Sequence, residues 1–310
     1  MSKILPTISA LGTHWLVEIF DAVTEEKADE TYRLISFFLS EFEAKYSRFK
    51  HNSIISTINR TKIFNRPDPT TISLLTFGKE MYQETGGIFN LLIGEYLTAR
   101  GYDTVYSFTP KAEPEILPSP LSDLSINSEY ITLQAGLIDL GGYGKGFLID
   151  RLAEYLQELG FRYFLINGGG DMYATSDHGE PVTIYLEHPI HTDTYIKEIT
   201  IIDQGFAASS THKRRWKVTG QEYSHIVDTK NNVAPTTPVD GGEAQIDHNP
   251  DTLGIYTKAP TAVLADVWST TFLLSDPKNH TIALEKSQID FARFNTEDNT
   301  LTQSQFFSCK

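Results

Sequence analysis

The chain is nearly devoid of cysteine: one residue, Cys309, stands beside its end. A single thiol excludes an internal disulfide and a thiolate metal cluster, and gives no sign of a stapled secreted scaffold. Positive charge is scarce as well. Lys and Arg number 26 against 40 Asp and Glu, a formal charge of −14, which repels a phosphate backbone. The densest basic run, Lys213-Arg214-Arg215, is not extended by any Lys/Arg stripe with interleaved aromatics, so nucleic acid is not an expected partner. Nowhere do about 18 apolar residues follow one another, and no membrane span is expected. Met1 to Ala10 show no basic stretch leading into a long apolar run, hence no visible signal peptide. The expected location of the chain as it stands is the cytoplasm. Nine histidines occur without an HExxH pattern or zinc spacing, which removes the usual zinc-hydrolase readings.

What is present is ample apolar material, 40% of 310 residues, enough for a large core in one domain or two fused lobes. Thr13–Phe20 is β-branched and aromatic and reads as a strand. Ala28, Tyr32, Ile35, Phe38, Phe42 and Tyr46 recur at spacings of three and four, so Glu25–Tyr46 is an amphipathic helix. A second helix is expected from about Thr71 to Thr85, ended by Gly86-Gly87. Residues 101–130 carry Pro110, Pro114, Pro118 and Pro120 and read as irregular. Beyond them, Ile131–Asp139 reads as a strand and Gly141–Gly146 as a turn. Leu148, Ile149, Leu152, Leu156 and Leu159 line a helix stopped by Gly160. Strands are expected at Tyr163–Ile166, Val182–Glu187, Ile196–Ile202, Tyr223–Val227, Gly254–Lys258 and Ile289–Phe294, and a helix at Thr261–Leu274. Pro238–Thr252 is rich in Gly, Asp and Pro and reads as an inserted surface loop. Strands and helices mix without a βαβ rhythm, which indicates the α+β class.

Three segments carry chemistry. Asp139-Leu-Gly-Gly-Tyr-Gly-Lys-Gly146 runs into a helix with Asp150 in its first turns. Glycines let backbone N–H groups approach an anion, the helix N-terminus adds partial positive charge, and Lys145 adds a point charge, so a diphosphate suits the place. A tight turn without ligand reads equally well. Asp266 and Thr270, four apart, share one face of the last long helix. They form a hard-oxygen pair suited to Mg²⁺ held partly by substrate phosphates, or simply a cap and a hydroxyl bonded to its own helix. His225 lies in Tyr223-Ser-His-Ile-Val-Asp228, as a proton acceptor near neutral pH or as a structural strand histidine.

In their order along the chain, these motifs resemble those of the FAD:protein FMN transferases, the ApbE family. Asn167-Gly-Gly-Gly-Asp171 falls between the first and third, and Ala265-Asp266-x-x-x-Thr270 follows. Upstream, Leu11-Gly12-Thr13, Tyr46–Asn59 (YSRFKHNSIISTIN) and Thr85-Gly-Gly-Ile-Phe-Asn90 are similar to the family's opening segments. The likeness is strongest over residues 10–275, within one expected ApbE-like domain spanning 1–310.

The resemblance implies two interlocked mixed-sheet lobes with helices, and a cleft between them for FAD and Mg²⁺. It also implies cleavage of FAD with transfer of FMN to a Thr or Ser of an acceptor flavoprotein, releasing AMP. By position, Asp266, Thr270 and the backbone of Gly144 would hold Mg²⁺. Leu11, Phe49, Phe89, Asn90, Lys145 and Asp150 would contact the cofactor, and His225 would be the base. The chain departs from the pattern at Asn90-Leu91-Leu92, where the family has Asp-Pro-Thr, at Gly144, and at Thr229 and Asn232. Water as acceptor would make an FAD diphosphatase of the same site. Loss of turnover would leave a flavin-binding protein.

Overall fold

The computed structural model describes residues 2–191, 193–210, 215–218, 221–224, 226–227, 252–295, 300–304 and 307. Two short strands, β1 (Lys3–Ile4) and β2 (Ile8–Ala10), both pair antiparallel with β3 (Thr13–Ile19). Helix α1 (Glu25–Tyr46) is capped by Thr24, whose hydroxyl accepts Lys27 N–H at 3.2 Å, with Glu25 and Glu26 in the first turn. A side-chain cap and acidic residues both favour a helix N-terminus. Its buried stripe is Ala28, Thr31, Ile35, Leu39, Phe42 and Tyr46, the periodic face that a helix must cover.

Then come α2 (Ile54–Thr61), β4 (Ile63–Asn65), α3 (Pro69–Glu84), α4 (Gly94–Ala99), α5 (Pro120–Asp123), β5 (Leu124–Ile126) and β6 (Tyr130–Leu133). Strands β4, β6 and β5 form a small antiparallel sheet. The second half holds α6 (Gly144–Glu158), β7 (Tyr163–Gly168), β8 (Asp171–Ser176), β9 (Val182–Glu187), β10 (Tyr195–Ile201) and β11 (Gln204–Ser210). It continues with β12 (Arg215–Val218), β13 (Gln221–Ser224), β14 (Thr252–Ala259), α7 (Ala262–Leu274), α8 (Thr281–Ser287), β15 (Asp290–Asn295) and β16 (Leu301–Gln303).

The main sheet runs β1-β3-β7-β8-β11-β14-β15-β16, with β2 also on β3. Every ladder among the described residues is antiparallel, in the main sheet and in the smaller ones. The sole parallel pairing among them is an isolated bridge between Ile93 and Leu137. The α+β class expected from the sequence is the class observed.

Side chains alternate across the sheet, and the core divides accordingly. Phe164 and Ile166 of β7 join α1 and α6 in the largest apolar cluster. Their neighbour Leu165 points into a second cluster, with Val182, Ile184, Leu186, Ile199 and Ile201 of the β9–β10 hairpin. Ile255 of β14 packs with Ala265, Trp268 and Phe272 of α7, and Tyr256 takes the hairpin side. The sheet is thus covered on both faces, and β14 is buried at every position, as a central strand between two layers must be.

Three expectations need correcting. The strand at Ile131–Asp139 is only Tyr130–Leu133, because Gly136 turns the chain at φ +74°. The irregular stretch 101–130 contains α5 and β5. The strand at Tyr223–Val227 is β13 and stops at Ser224. The inserted loop lies outside the described residues up to Asp251, and Thr252 already belongs to β14.

Candidate active site

Between the helix-covered clusters lies a cleft of about 1160 Å³, part of it open to solvent. One wall is the Phe89–Asn90 turn with Tyr102. The floor is Asp139, Gly141, Gly142 and Lys145, and the facing wall holds Asp171, Ser209, Asp266 and Thr270.

The Tyr46–Asn59 motif builds the floor from behind. Ser53 caps α2, accepting Ser56 N–H at 3.0 Å. From α2, Asn59 grips Ile138 by both backbone groups, at 2.9 and 2.7 Å, which fixes the residue before Asp139. Asp139 is buried and ion-paired to the equally buried Arg48, and its other oxygen accepts Gly141 N–H at 2.7 Å. Arg48 also donates to the Tyr102 carbonyl at 2.8 Å. One guanidinium therefore ties the glycine turn to the aromatic wall.

Helix α6 begins at Gly144 without a side-chain cap from Tyr143, and the Gly144 N–H donates to the Leu140 carbonyl at 2.6 Å; the partial positive charge of the helix N-terminus suits an anion. At Gly146 the two long helices touch backbone to backbone. A Cβ there would stand 2.6 Å from the Ala262 carbonyl oxygen, closer than side-chain carbons come. The Gly146 N–H donates to Asp266 Oδ2 at 3.2 Å, which locks α7 in register with the turn. The N-terminus of α7 is held by Thr261 and by Asp150, whose carboxyl accepts Ala262 N–H at 2.7 Å and Val263 N–H at 2.9 Å. Burial pushes the Asp150 pKa up to about 7, against the pull of those two bonds.

Asp171 arrives on the β7–β8 hairpin. Gly168 pairs with Asp171, leaving Gly169-Gly170 as a two-residue turn with φ of +76° and +104°. That geometry calls for glycine at both places and matches the twist of the strands. Asn167 Oδ1 accepts Gly170 N–H at 2.9 Å. Lys145 makes an ion pair with Asp171 and lies 3.7 Å from Asp266. Across the cleft, Ser209 Oγ lies 3.2 Å from Thr270 Oγ1 and 2.7 Å from Ser269 Oγ.

Of the residues expected at the site, Phe89, Asn90, Lys145, Asp266 and Thr270 line one cleft. Asn90 is fully engaged within the protein: its amide donates to the Pro118 carbonyl and accepts Leu92 N–H, both at 2.8 Å. Four expectations shift. Asp150 is absent from the lining because its carboxyl caps α7. Leu11 sits on the β2–β3 turn at φ +51°, its N–H bonded to Glu43 at 3.1 Å, and packs on the main cluster. Phe49 stacks on Tyr106 (5.1 Å, 12°) and meets Tyr102 edge-on (5.7 Å), so Tyr102 is the ring that faces the cleft. The glycines at the cleft are Gly141, Gly142 and Gly169, whereas Gly144 opens α6. His225 lies outside the described residues; Ile226 and Val227, which follow it, line the cleft.

Arg48, Tyr102 and Ser209 carry no sequence expectation, and Asn59, Asp139 and Asp171 enter there only as motif letters. A charged residue in an aromatic segment and an Asn at a helix end were the available signals.

The oxygen donors here are hard: two carboxylates and two hydroxyls from three separate elements. No group of three or more His, Cys, Asp or Glu side chains among the described residues forms a complete metal cage. A small cation that keeps waters and leans on phosphate oxygens needs only one or two carboxylates, so the donor set fits one. Among the described residues no helix is long and apolar enough to cross a membrane.

A FAD:protein FMN transferase of Haemophilus influenzae is 25% identical, over 95% of this chain and 87% of its own length. Its Escherichia coli K12 counterpart is 22% identical, over 86% and 77%. In fold, the chain superposes on the ApbE protein of Thermotoga maritima with a TM-score of 0.78 at 19% identity, covering 100% of both. The profile of the ApbE family matches residues 11–292: the chain belongs to the ApbE family.

Proposed function

We infer that this protein cleaves FAD and transfers its FMN half to a target protein, releasing AMP. The observation that carries the reading is one convergence in an ApbE-family chain. A glycine turn at a helix N-terminus, Lys145, the Asp171 and Asp266 carboxylates and an aromatic wall all meet in one cleft. The relatives in Haemophilus influenzae and Escherichia coli carry that activity in their names.

The acceptor is proposed to be a Thr or Ser hydroxyl of a flavoprotein. Its oxygen bonds to the phosphorus of the FMN half, the diphosphate bridge breaks on that side, and AMP leaves with the bridging oxygen. The hydroxyl proton passes to a base, for which His225 is proposed. Such transfer depends on positioning and charge neutralisation more than on covalent catalysis. Gly141 and Gly142, in the turn just before α6, offer a cradle for the diphosphate, and Lys145 a cation. Tyr102, edge-on to Phe49 and stacked on Trp216, brings an aromatic ring to the cleft wall for a planar ring to pack against. Asp266 and Thr270 are proposed to hold Mg²⁺, which when bound would supply Lewis acidity and orientation.

The test is incubation with FAD, MgCl₂ and a candidate acceptor flavoprotein. The expected result is one FMN phosphoester added to the acceptor by intact mass, with AMP in equal amount, and both lost in Asp266→Ala. AMP without adduct would mean that water is the acceptor and the enzyme a diphosphatase. FAD bound with neither product would reduce it to a flavin-binding protein.

A further inference from the structure

Lys145 occupies a place where a cation is needed even without ligand. Asp171 and Asp266 are both buried, at 3% and 5% exposure, and two carboxylates sharing a site raise each other's cost of ionisation. The Lys145 ammonium touches the first and stands 3.7 Å from the second. The three residues come from different elements: the first turn of α6, the start of β8 and the middle of α7. Lys145 alone among them is flexible by construction, with four methylenes behind a compact charge, and its side chain keeps 20% exposure. Asp266, by contrast, is held by the Gly146 N–H whatever the ammonium does.

We propose that Lys145 is a resident stand-in for the divalent cation, bridging Asp171 and Asp266 until metal and diphosphate arrive and then moving to the phosphate. The inference rests on the cation and diphosphate reading above. Lys145 competes with metal for Asp266, so the carboxylates stay paired and correctly spaced in the empty enzyme. It then contributes its charge a second time, to the substrate. The lysine is a positioning residue in the first state and a binding residue in the second.

Mn²⁺ binding to the protein alone, followed by the free-ion electron paramagnetic resonance signal, tests the first half without any flavin. Lys145→Met and Lys145→Gln are expected to bind Mn²⁺ at least about tenfold more tightly than the native chain, since a charged competitor worth that factor is gone. Lys145→Arg, which keeps the charge, should bind as the native chain does. In EDTA the Met and Gln variants should melt several degrees lower, and saturating Mn²⁺ should close the gap. Equal Mn²⁺ affinity in native, Met and Gln forms overturns the stand-in role. For the second half, FAD affinity by flavin fluorescence at saturating Mn²⁺ should fall at least about tenfold in Lys145→Met. Unchanged FAD affinity overturns the hand-over. Failure of the acceptor assay would leave the Mn²⁺ result standing, so the two readings fail separately.

Discussion

Replacing Asp150 by alanine strips the first turn of α7 of the carboxyl that accepts Ala262 and Val263 N–H. Loss of a capping side chain costs about 0.5–2 kcal/mol. A loss near 2 kcal/mol corresponds to a melting shift of about 3 °C for a chain of this size. The sign with pH is distinctive. Burial raises the folded pKa to about 7 from 3.8, so between those values the folded state holds a proton that the unfolded chain has released. That contribution is complete below pH 3.8 and drains away as pH rises to about 7, at no more than about 1.4 kcal/mol per unit. Asp150→Asn keeps an acceptor but cannot titrate. Thermal melts of native, Ala and Asn forms from pH 4 to 8 should show the native form losing ground to Asn across that window, with Ala lowest where the native carboxyl is protonated. Parallel native and Asn profiles would refute the burial argument, and an Ala form as stable as Asn would refute the cap.

Gly146→Ala should abolish AMP release and lower the melting temperature, because its Cβ has no room beside Ala262; a soluble, active variant would show that α6 and α7 can part cheaply. Arg48→Met leaves Asp139 buried without its guanidinium, a change that costs about 3–5 kcal/mol, readable as a lowered denaturant midpoint and weakened FAD binding. Asp68→Ala should cost about 1 kcal/mol near neutrality and much less at pH 2. The Asp68 carboxyl caps α3 and is bonded to Thr71 and Lys45, and these bonds outweigh burial and hold its pKa down at about 2. Its stabilisation is therefore present above pH 3.8 and lost as the pH falls toward 2.

Elements whose pattern is local were readable in the sequence. Glu25–Tyr46 and Val182–Glu187 appear with the bounds that periodicity gave, since one buried face writes a period of 3.6 or 2 into the residues. The strands Asp171–Ser176 and Gln204–Ser210 were not legible. They lie inside the sheet and hold small residues such as Ala174, Ala207 and Ala208 that leave no alternation to read. At the site, spacing puts Asp266 and Thr270 on one helix face, and both line the cleft, whereas the partners Arg48–Asp139 and Ser209–Thr270 are far apart in sequence and meet only through the fold. Asp150 misled because a carboxylate after a glycine turn looks the same whether it meets a ligand or a neighbouring helix.

The order of strands also has a consequence during synthesis. Strand β11 lies between β8 and β14, and α7, which brings Asp266 and Thr270, follows β14 in the chain. A polypeptide still emerging from the ribosome, with everything through β13 made, has its glycine turn, Asp171 and Ser209 but lacks Asp266 and Thr270, and β11 offers a bare edge. Such an edge is a template for another chain, and pairing that must wait for distant residues is slow. Competence and solubility therefore arrive together, late, with the segment that begins at Thr252. The nascent enzyme is inert toward FAD for the same interval in which it is most prone to aggregate, and a truncation before Thr252 would hold it there permanently.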